Sequence, residues 1–408
     1  MKKLQIIDLF AGCGGLAEGF EQSGFYDTLA AVEWEAKPRN TLANRLASVW
    51  NIPNAQERTM LFDMQRTMEL FGGWKNDPKY GDGWGLDKAI GDQQIDVVVG
   101  GPPCQAYSVA GRIRDPNGMR NDYRNYLFES YLKVIERYRP TAFIFENVPG
   151  LLSAKPDGDL IAPKVVEAFR KIGYWIPDDL STTKVNAADY GVPQNRQRLI
   201  ILGLSIDRFG KNTQKMSALF YQVLLPKYKV LKPVTVGESI GDLPKLYPTN
   251  ELIKRNGRKF SHTVVEGKLP DHEPRYHSQR DIGIFKTLAS DIKNEEYKYR
   301  STEALKNLYT EMTGKTSNIH KYHVLKSDEP SSLIPAHLYK DGLRHIHPDP
   351  EQARSITVRE AARLQSFPDD FVFCGSVGDK YKMIGNAVPP KLAKVVAKAL
   401  NELLTTAY

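Results

Sequence analysis

The sequence predicts an α/β fold with a doubly wound, mostly parallel sheet, and three observations support that prediction. Short apolar runs typical of buried strands alternate with longer segments of helical periodicity through the first half of the chain. A glycine-rich turn follows the first of these runs directly. The alternation fades after residue 205 and returns near residue 354, which predicts a smaller domain inserted into the sheet domain.

The positions of apolar residues predict the individual elements. The buried strands are LQIIDLF, TLAAVEW, IDVVVGG, TAFIFEN and RLIILGL. The helices between them are GLAEGFEQSGF, KPRNTLANRLASVW and YLFESYLKVIERY. Residues 72–91 break the rhythm with Gly, Asp and Trp and are predicted to be a surface insertion. The pattern returns with SITVREAARLQ and the closing helix KLAKVVAKALNELL.

A chain of 408 residues is long enough for about two or three domains. We expect residues 1–205 to form the first part of a catalytic and cofactor-binding domain. Residues 206–353 then form the inserted domain, and residues 354–408 return to complete the first domain.

Composition places the chain among soluble globular proteins, with 41% hydrophobic and 25% charged residues. The three cysteines, Cys13, Cys104 and Cys374, are odd in number and far apart, which argues against a disulfide framework and favours a reducing, cytoplasmic setting. The start MKKLQIIDLF leads into a glycine turn instead of a cleavage site, and no run is long enough to span a membrane. We therefore expect neither secretion nor membrane insertion.

The net charge of +8 suggests a polyanionic partner. Residues 206–353 carry 24 Lys and Arg against 18 Asp and Glu, so six of the eight net positive charges lie there. All eight histidines also fall in this region. The inserted domain is therefore the part of the chain that composition associates with a nucleic acid.

The glycine turn is the first candidate ligand site. Residues 12–17, GCGGLA, fit the pattern G-x-G-x-x-G/A between a strand and a helix, where bare backbone can approach a nucleotide-like ligand. Glu33 ends the second strand, where an acidic residue can hold ribose hydroxyls, and Trp34 offers a flat face for adenine. A nicotinamide dinucleotide and S-adenosylmethionine both remain possible on these residues alone.

Cys104 lies in the turn GGPPCQAYS at the carboxyl end of another strand, where open parallel sheets place their active sites. The two prolines before it stiffen the turn and present the thiol in one direction. A thiolate there is a candidate nucleophile, whereas the alternative is a buried structural cysteine. A Cys-His protease arrangement would need its base from the inserted region, and we rank it low.

Two further segments supply polar groups next to strands. Glu146 follows the apolar run TAFIF, and adjacent strand ends would bring its carboxyl close to Cys104 for proton exchange with a substrate. Arg196 and Arg198 share one face as the next strand begins, and paired guanidiniums suit a carbonyl oxygen or a phosphate. The alternative interpretations are a helix cap for Glu146 and two exposed strand arginines.

These motifs follow one another in a specific order. The segments are DLFAGCGGL, VEW, GGPPCQ, ENVPG, QNRQR, TVREAARLQSFPDDF and YKMIGNAVPP. The series closely resembles that of the cytosine-C5 DNA methyltransferases of bacterial or phage type, from Ile6 to about Leu400. The resemblance implies a Rossmann-like, S-adenosylmethionine-dependent catalytic domain, with residues 206–353 as the target recognition domain.

The resemblance also implies roles for the catalytic residues. Cys104 would add to C6 of a flipped-out cytosine, and Glu146 would hydrogen-bond or protonate the ring at N3. Arg198, and with it Arg196, would hold the base oxygen and the active-site carboxyl.

Cofactor and DNA contacts carry over in the same way. The implied S-adenosylmethionine contacts are Phe10, Gly12, Gly14, Gly15, Glu33, Trp34, Asp63, Pro103, Leu127 and Asn386. The segment after the nucleophile, residues 109–125, resembles the closing active-site loop of the family. The expected DNA contacts are Gln105, Ser108, Arg112 and Arg114.

The implied partner is double-stranded DNA at a short specific site, with a restriction endonuclease acting on the same site as a possible further partner. We expect a monomer associated with the nucleoid in the cytoplasm. We expect no metal, because the histidine pairs His320 with His323 and His345 with His347 lack nearby cysteines.

Three rival functions remain at this point. A nicotinamide oxidoreductase explains the glycine turn but leaves the other motifs without a role. An RNA methyltransferase of the tRNA-modifying branch shares the catalytic motifs, but that branch carries a Cys-Phe-Thr tripeptide absent here. A non-catalytic DNA-binding relative would be expected to have lost a catalytic residue, and none is missing.

Overall fold

A computed structural model describes residues 2–103, 127–155, 158–255, 257–263, 269–318, 321–340 and 342–406. The chain forms two compact units. The first contains Met1–Gly191, Arg196–Leu231 and Ala387–Tyr408, and the second contains Val192–Asn195 and Lys232–Asn386.

The described strands comprise those of one large sheet and those of two small hairpins. In chain order they are β1 (Leu4–Leu9), β2 (Tyr26–Glu33), β3 (Thr59–Leu61), β4 (Trp74–Asp77), β5 (Gly81–Gly83), β6 (Val97–Gly100), β7 (Ala142–Asn147), β8 (Tyr174–Trp175), β9 (Lys184–Asn186), β10 (Gln197–Ser205), β11 (Pro248–Arg255) and β12 (Arg258–His262).

The α-helices of the first unit are α1 (Gly15–Ser23), α2 (Ala36–Ser48), α3 (Ala55–Arg58), α4 (Thr67–Gly72), α5 (Gly85–Ile90), α6 (Leu127–Tyr138), α7 (Ile161–Lys171), α8 (Ile206–Phe209) and α9 (Thr213–Leu219). Those of the second unit are α10 (Val236–Ile240), α11 (Gln279–Lys293), α12 (Thr302–Thr313), α13 (Val358–Leu364) and α14 (Val377–Asn386). The closing helix, α15 (Pro390–Thr406), belongs to the first unit again.

The large sheet confirms the predicted doubly wound, mostly parallel fold. Its strand order is β3-β2-β1-β6-β7-β10-β8, with β9 paired to β10. The pairs from β3 to β7 are parallel, whereas β10 runs antiparallel to β7, β8 and β9. The chain moves outward from β1 to β3 and then returns to β6 beside β1. The strand order therefore reverses between β1 and β6, which is where doubly wound sheets bind ligands.

Helices cover both faces of this sheet. On one face an aromatic cluster fills the core, with Phe143 stacked on Phe169 at a centroid distance of 4.4 Å and Tyr131 meeting Phe145 edge-on at 5.2 Å. Burying each such side chain contributes roughly 1.5–3 kcal/mol. On the other face α15 packs against α1, and the Tyr26 hydroxyl donates to the Ala397 carbonyl at 3.0 Å. The return of the chain after residue 386 thus completes the first unit.

The second unit has its own core, formed by apolar residues of α11 and α12 with residues such as Val324 and Ile346. Close to α13, Arg354 forms a buried two-point ion pair with Glu360, with N–O distances of 2.6 and 2.7 Å. Glu360 also accepts the Thr357 backbone N–H at 2.7 Å and so caps α13. The neighbouring guanidinium holds the pKa of Glu360 well below its usual range, although burial alone would raise it.

The ends of the second unit differ from the boundaries that the sequence suggested. Residues 206–231 belong to the first unit, where the Tyr221 hydroxyl donates to the Ile200 carbonyl and accepts the Leu202 N–H on β10, both at 2.8 Å. Residues 354–386 belong to the second unit, which holds the Arg354–Glu360 pair. The boundaries were predicted from basic composition and broken periodicity. Neither property shows which hydrophobic core a segment packs against. Among the helices of the described residues, none is long and apolar enough to cross a membrane.

Candidate active site at the carboxyl ends of the parallel strands

Three loops meet at the carboxyl ends of the central strands. Leu9, the last residue of β1, is paired with Gly100, the last residue of β6, and Gly100 is paired with Phe145 on β7. The glycine turn (residues 12–15), the turn from Gly101 to Pro103 and the end of β7 therefore lie along one edge of the sheet. We call this edge the ligand edge.

The glycine turn is held by a buried carboxylate. Gly12 N–H donates to Glu33 Oε2 at 2.8 Å, while Oε1 accepts the N–H groups of Trp34 and Glu35 at 2.9 and 2.8 Å. Glu33 is only 7% exposed, and this burial raises its pKa to about 7. A carboxylate oxygen can accept two hydrogen bonds, so Oε2 keeps acceptor capacity for a ligand hydroxyl.

Backbone conformation and close packing explain why two positions of this turn are glycines. Gly14 has a φ of 91°, which side chains disfavour. A Cβ on Gly15 would lie 2.1 Å from the Val388 carbonyl oxygen, so the segment before α15 can approach only a glycine. Phe10, with a φ of 56°, begins the same turn and is half-buried.

Asp8 is a site residue that sequence reasoning missed. It is fully buried beneath the glycine turn, where its Oδ2 accepts Ala17 N–H at 3.2 Å. Its Oδ1 meets no hydrogen-bond donor in the described part of the chain. Burial is the main cause that raises the Asp8 pKa to about 8. The available signal was an acidic residue inside an otherwise apolar strand.

Two further predicted cofactor contacts follow β2 and β3. Trp34 is 44% exposed, so its ring is open to a ligand. Asp63 is half-buried, and its Oδ1 accepts Gln65 N–H at 3.0 Å. The Phe62 N–H donates to the Glu33 carbonyl at 3.1 Å, which ties the Asp63 turn to the end of β2.

Arg198 on β10 pairs with Glu146 on β7, a contact that the family resemblance implied, whereas Cys104, the expected neighbour of Glu146 at the strand ends, lies outside the described residues. Arg198 Nε lies 2.7 Å from Glu146 Oε1, and both side chains are about nine-tenths buried, with 11% and 12% exposure. A Cβ on Gly101 would lie 2.6 Å from Glu146 Oε2, so the turn that leads into Cys104 passes directly beside this carboxylate. The ligand edge thus holds one carboxylate whose position is set by a guanidinium.

Arg196 makes different contacts. It is 2% exposed, its Nη2 donates to the Ala387 carbonyl at 3.1 Å, and its backbone N–H donates to Asn186 Oδ1 at 3.0 Å. The first bond attaches the segment before α15 to the chain that leads into β10, and the second joins this chain to the end of β9.

The other predicted site residues fall in three places. Pro103 is half-buried at the end of its turn, and Leu127 is buried at the first position of α6. Asn386 is exposed at the end of α14, in the second unit. Five predicted residues lie outside the described residues, namely Cys104, Gln105, Ser108, Arg112 and Arg114.

A second missed residue is Tyr131 of α6, which lies fully buried under the ligand edge. Its hydroxyl is 3.1 Å from the carbonyl oxygens of Val98 on β6 and Ile144 on β7 and can donate to either. A Cβ on Gly100 would lie 2.9 Å from its ring. Tyr131 therefore supports β6, which leads into the turn from Gly101 to Pro103, and β7, which carries Glu146.

The histidines of the second unit have structural partners. His262 Nε2 lies 2.9 Å from the Gln352 carbonyl oxygen, His272 Nε2 lies 2.8 Å from the Pro244 carbonyl oxygen, and His277 Nε2 accepts Ser355 N–H at 3.2 Å. Burial lowers the pKa of all three, so they are neutral at pH 7. No group of three or more His, Cys, Asp or Glu able to hold a metal occurs among the described residues, which include His323, His345 and His347 but not His320.

Comparison with known proteins adds an independent result. A family model described as C-5 cytosine-specific DNA methylase matches residues 4–402. The chain is 31% identical to the type II methyltransferase M.Bpa9945I of Bacillus paralicheniformis, over 98% of this chain and 99% of that protein. It is 32% identical to the type II methyltransferase M.XorII of Xanthomonas oryzae pv. oryzae, over 98% of this chain and 84% of that protein.

Solved structures agree in fold. A crystal structure described as a DNA modification methyltransferase encoded within an E. coli prophage aligns over 99% of this chain and 100% of that chain. Its TM-score is 0.64 at 25% identity. The methyltransferase EhMeth of Entamoeba histolytica aligns over 100% of both chains with a TM-score of 0.54, and at 14% identity this likeness concerns the fold alone.

Proposed function

Because the chain belongs to the C-5 cytosine-specific DNA methylase family and is therefore a DNA cytosine-C5 methyltransferase, we propose that it methylates one cytosine of a short duplex site with S-adenosylmethionine as the methyl donor. The observation that carries the proposal is the Glu146–Arg198 pair beside Gly101. It puts an oriented carboxylate at the ligand edge, next to the turn that leads into Cys104.

The ligand edge suits S-adenosylmethionine. Glu33 Oε2 has acceptor capacity for a ribose hydroxyl, and the exposed Trp34 ring offers a stacking face for adenine. When ionised, the Glu33 carboxylate supplies negative potential at the turn, which favours a ligand that carries a sulfonium. When bound, S-adenosylmethionine supplies the methyl group that C5 receives.

Cytosine C5 is a poor nucleophile, so the ring must first be activated. In the proposed sequence the Cys104 thiolate forms a bond to C6, and the displaced ring electrons make C5 nucleophilic. Glu146 donates a hydrogen bond or a proton at N3, where the addition develops negative charge. After C5 gains the methyl group, its proton passes to water, the C5–H electrons re-form the C5–C6 double bond, and the C6–S bond breaks to release the Cys104 thiolate.

The two arginines have different positioning roles in this proposal. Arg198 orients Glu146 through the 2.7 Å contact and is the candidate donor to the base oxygen. Arg196 positions the segment that leads into α15 through its hydrogen bond to the Ala387 carbonyl. Because C5 and C6 are stacked inside a duplex, the target cytosine is proposed to be flipped out toward this edge, with residues 109–125 as the closing loop.

We assign DNA sequence recognition to residues 206–353, which carry 24 Lys and Arg against 18 Asp and Glu and which belong to the second unit from Lys232 onward. Because the relatives are named type II methyltransferases, we further propose that the enzyme protects sites from a partner restriction endonuclease. We also propose that it acts as a monomer in the cytoplasm.

Bisulfite sequencing of DNA from cells that express the protein, beside a Cys104→Ser control, tests the proposal. We expect protected cytosines in one recurring sequence context that disappear in the control. The same treatment of cellular tRNA separates the RNA-modifying rival. If a folded protein that binds S-adenosylmethionine protects no DNA cytosine, the proposed function is wrong.

A further inference from the structure

The hairpin β4–β5, inside the predicted insertion, packs on the residue that precedes Asp63. The Trp74 ring of the hairpin stacks on Phe62 with centroids 3.8 Å apart and an interplanar angle of 20°. Tyr80, in the hairpin turn, contacts the same ring at 5.1 Å. Phe62 is fully buried by these contacts and their neighbours. The insertion therefore reaches the loop that follows β3.

The glycines around the hairpin make this packing possible. A Cβ on Gly83 would lie 2.1 Å from Trp74 Cζ2, so the indole rests directly on the backbone of the opposite strand. Only a glycine leaves that space. The Trp74 ring thus explains Gly83, while Gly73 and Gly85 lie against backbone atoms of Trp84 and Phe71.

An ion pair makes the second link between the hairpin and this loop. Arg66 Nη1 donates to Asp77 Oδ2 at 2.6 Å, and the Asp77 side chain is only 6% exposed. The Arg66 guanidinium also lies 4.7 Å from the Phe62 ring centroid and donates through Nε to Glu69 at 2.7 Å. The other Asp77 oxygen accepts the N–H groups of Lys79 and Tyr80, both at 2.9 Å, which shapes the hairpin turn.

Both ends of the Asp63 turn are thereby fixed. On one side the Phe62 N–H donates to the Glu33 carbonyl at 3.1 Å. On the other side the Arg66 N–H donates to the Asp63 carbonyl at 3.1 Å, and the Arg66 side chain is anchored by Asp77. Asp77 is thus connected to Asp63 by two contacts: its ion pair with the Arg66 guanidinium, and the backbone hydrogen bond between Arg66 and Asp63.

We propose that the β4–β5 hairpin is a positioning element for cofactor binding, which holds the Asp63 carboxylate, through Arg66 and Phe62, where it meets the adenine amino group. This inference rests on the proposed function and on the family resemblance, which implies that Asp63 contacts S-adenosylmethionine; we place that contact at the adenine amino group. Asp77 and Trp74 are positioning residues in this account and touch no ligand. Their contribution is preorganisation, which appears in cofactor affinity and not in the chemical step.

Asp77→Asn tests the ion pair selectively, because the amide oxygen can still accept the Lys79 and Tyr80 N–H groups. We expect KM and Kd for S-adenosylmethionine to rise about fivefold, while kcat at saturating cofactor and KM for DNA stay within about twofold. The control is Asp178→Asn, which makes the same substitution in an exposed Arg–Asp contact of 2.7 Å with Arg170, away from the hairpin. Arg66→Lys keeps the charge but loses the fork to Asp77 and Glu69, and it should raise KM similarly.

Asp63→Asn separates this inference from the proposed function on which it rests. Alone it should weaken S-adenosylmethionine binding about tenfold, and Asp77→Asn added to it should have little further effect. If Asp63→Asn leaves Kd unchanged, the adenine contact is wrong. If Asp63→Asn weakens binding but Asp77→Asn and Arg66→Lys both bind like the Asp178→Asn control, the hairpin proposal is overturned.

Discussion

Two glutamates at the ligand edge, Glu33 at the end of β2 and Glu146 near the end of β7, are held in different ways. Glu33 accepts three backbone N–H groups and is 7% exposed. Glu146 is placed by the Arg198 side chain at 2.7 Å and is 12% exposed. Backbone N–H groups cannot move without the turn to which they belong, so they hold the Glu33 carboxylate in one position. A side-chain partner such as Arg198 can move together with the carboxylate that it binds.

This difference separates a binding role from a catalytic role. A carboxylate that shapes a turn contributes to ligand affinity, because its acceptor is already in place before the ligand arrives. A carboxylate that must exchange a proton with a base needs a partner that tolerates a change in its charge. We therefore expect substitutions at Glu33 to alter cofactor affinity and substitutions at Glu146 to alter the chemical step.

The largest expected effect is that of Glu146→Gln. The amide is similar in size but cannot supply a proton at N3, so kcat should fall by about 10³ while Kd for S-adenosylmethionine stays within about twofold. Single-turnover methyl transfer to DNA and cofactor titration measure the two quantities. Glu167→Gln, on the exposed face of α7, is the control. A normal rate for Glu146→Gln would leave this carboxylate a structural cap.

Arg198→Ala should have the next largest effect, a fall in kcat of about 10². Glu146 remains present in this variant but loses the guanidinium that orients it. Arg198→Lys should recover part of the loss, because the charge is kept without the planar fork. The same methyl-transfer assay measures both variants. If Arg198→Ala reduces cofactor affinity instead of kcat, the division between the two glutamates fails.

Glu33→Gln should weaken S-adenosylmethionine binding about tenfold and leave kcat at saturation nearly unchanged. Since burial raises the Glu33 pKa to about 7, affinity in the unaltered protein should fall as pH falls through about 7, when the carboxylate becomes protonated. Calorimetric titration between pH 6 and 8.5 measures this profile, which Glu33→Gln should flatten. A pH-independent affinity in the unaltered protein would contradict the assignment.

The smallest effect concerns stability. The Asp8 pKa rises from an ordinary value of 3.8 to about 8 in the folded protein, so between these values the folded state holds a proton that the unfolded state has lost. Stability is therefore lost as pH rises across this window. Asp8→Asn cannot titrate, so its Tm relative to the unaltered protein should increase by a few degrees from pH 5 to pH 9. An equal Tm difference at both pH values would refute this account.

The sequence was sufficient for the fold and for much of the ligand edge. Apolar runs predicted β1, β2, β6, β7 and β10 because strands that are buried on both faces of a sheet need continuous hydrophobic sequence. The residues that follow these strands were then predicted to meet at one edge. The structure brings Gly12 to Glu33 and Arg198 to Glu146 at that edge.

Contacts that depend on the direction of a side chain could not be predicted from the sequence. Arg196 and Arg198 are two residues apart, yet one donates to the Ala387 carbonyl and the other pairs with Glu146. The Asp77–Arg66 pair depends on a hairpin turn whose register no periodicity specifies. Asp8 reads as an ordinary strand residue until burial and the Ala17 cap are known. Each of these facts comes from tertiary packing.

The most direct test of the central claim is covalent trapping. A duplex with 5-fluorocytosine at the target position, once sequencing has identified that position, cannot lose a proton from C5, so the adduct with the protein should persist. With S-adenosylmethionine present, we predict a denaturant-stable protein–DNA complex for the unaltered protein, slow formation for Glu146→Gln and none for Cys104→Ser. A complex that forms equally in Cys104→Ser, or that never forms in the unaltered protein, would contradict the account.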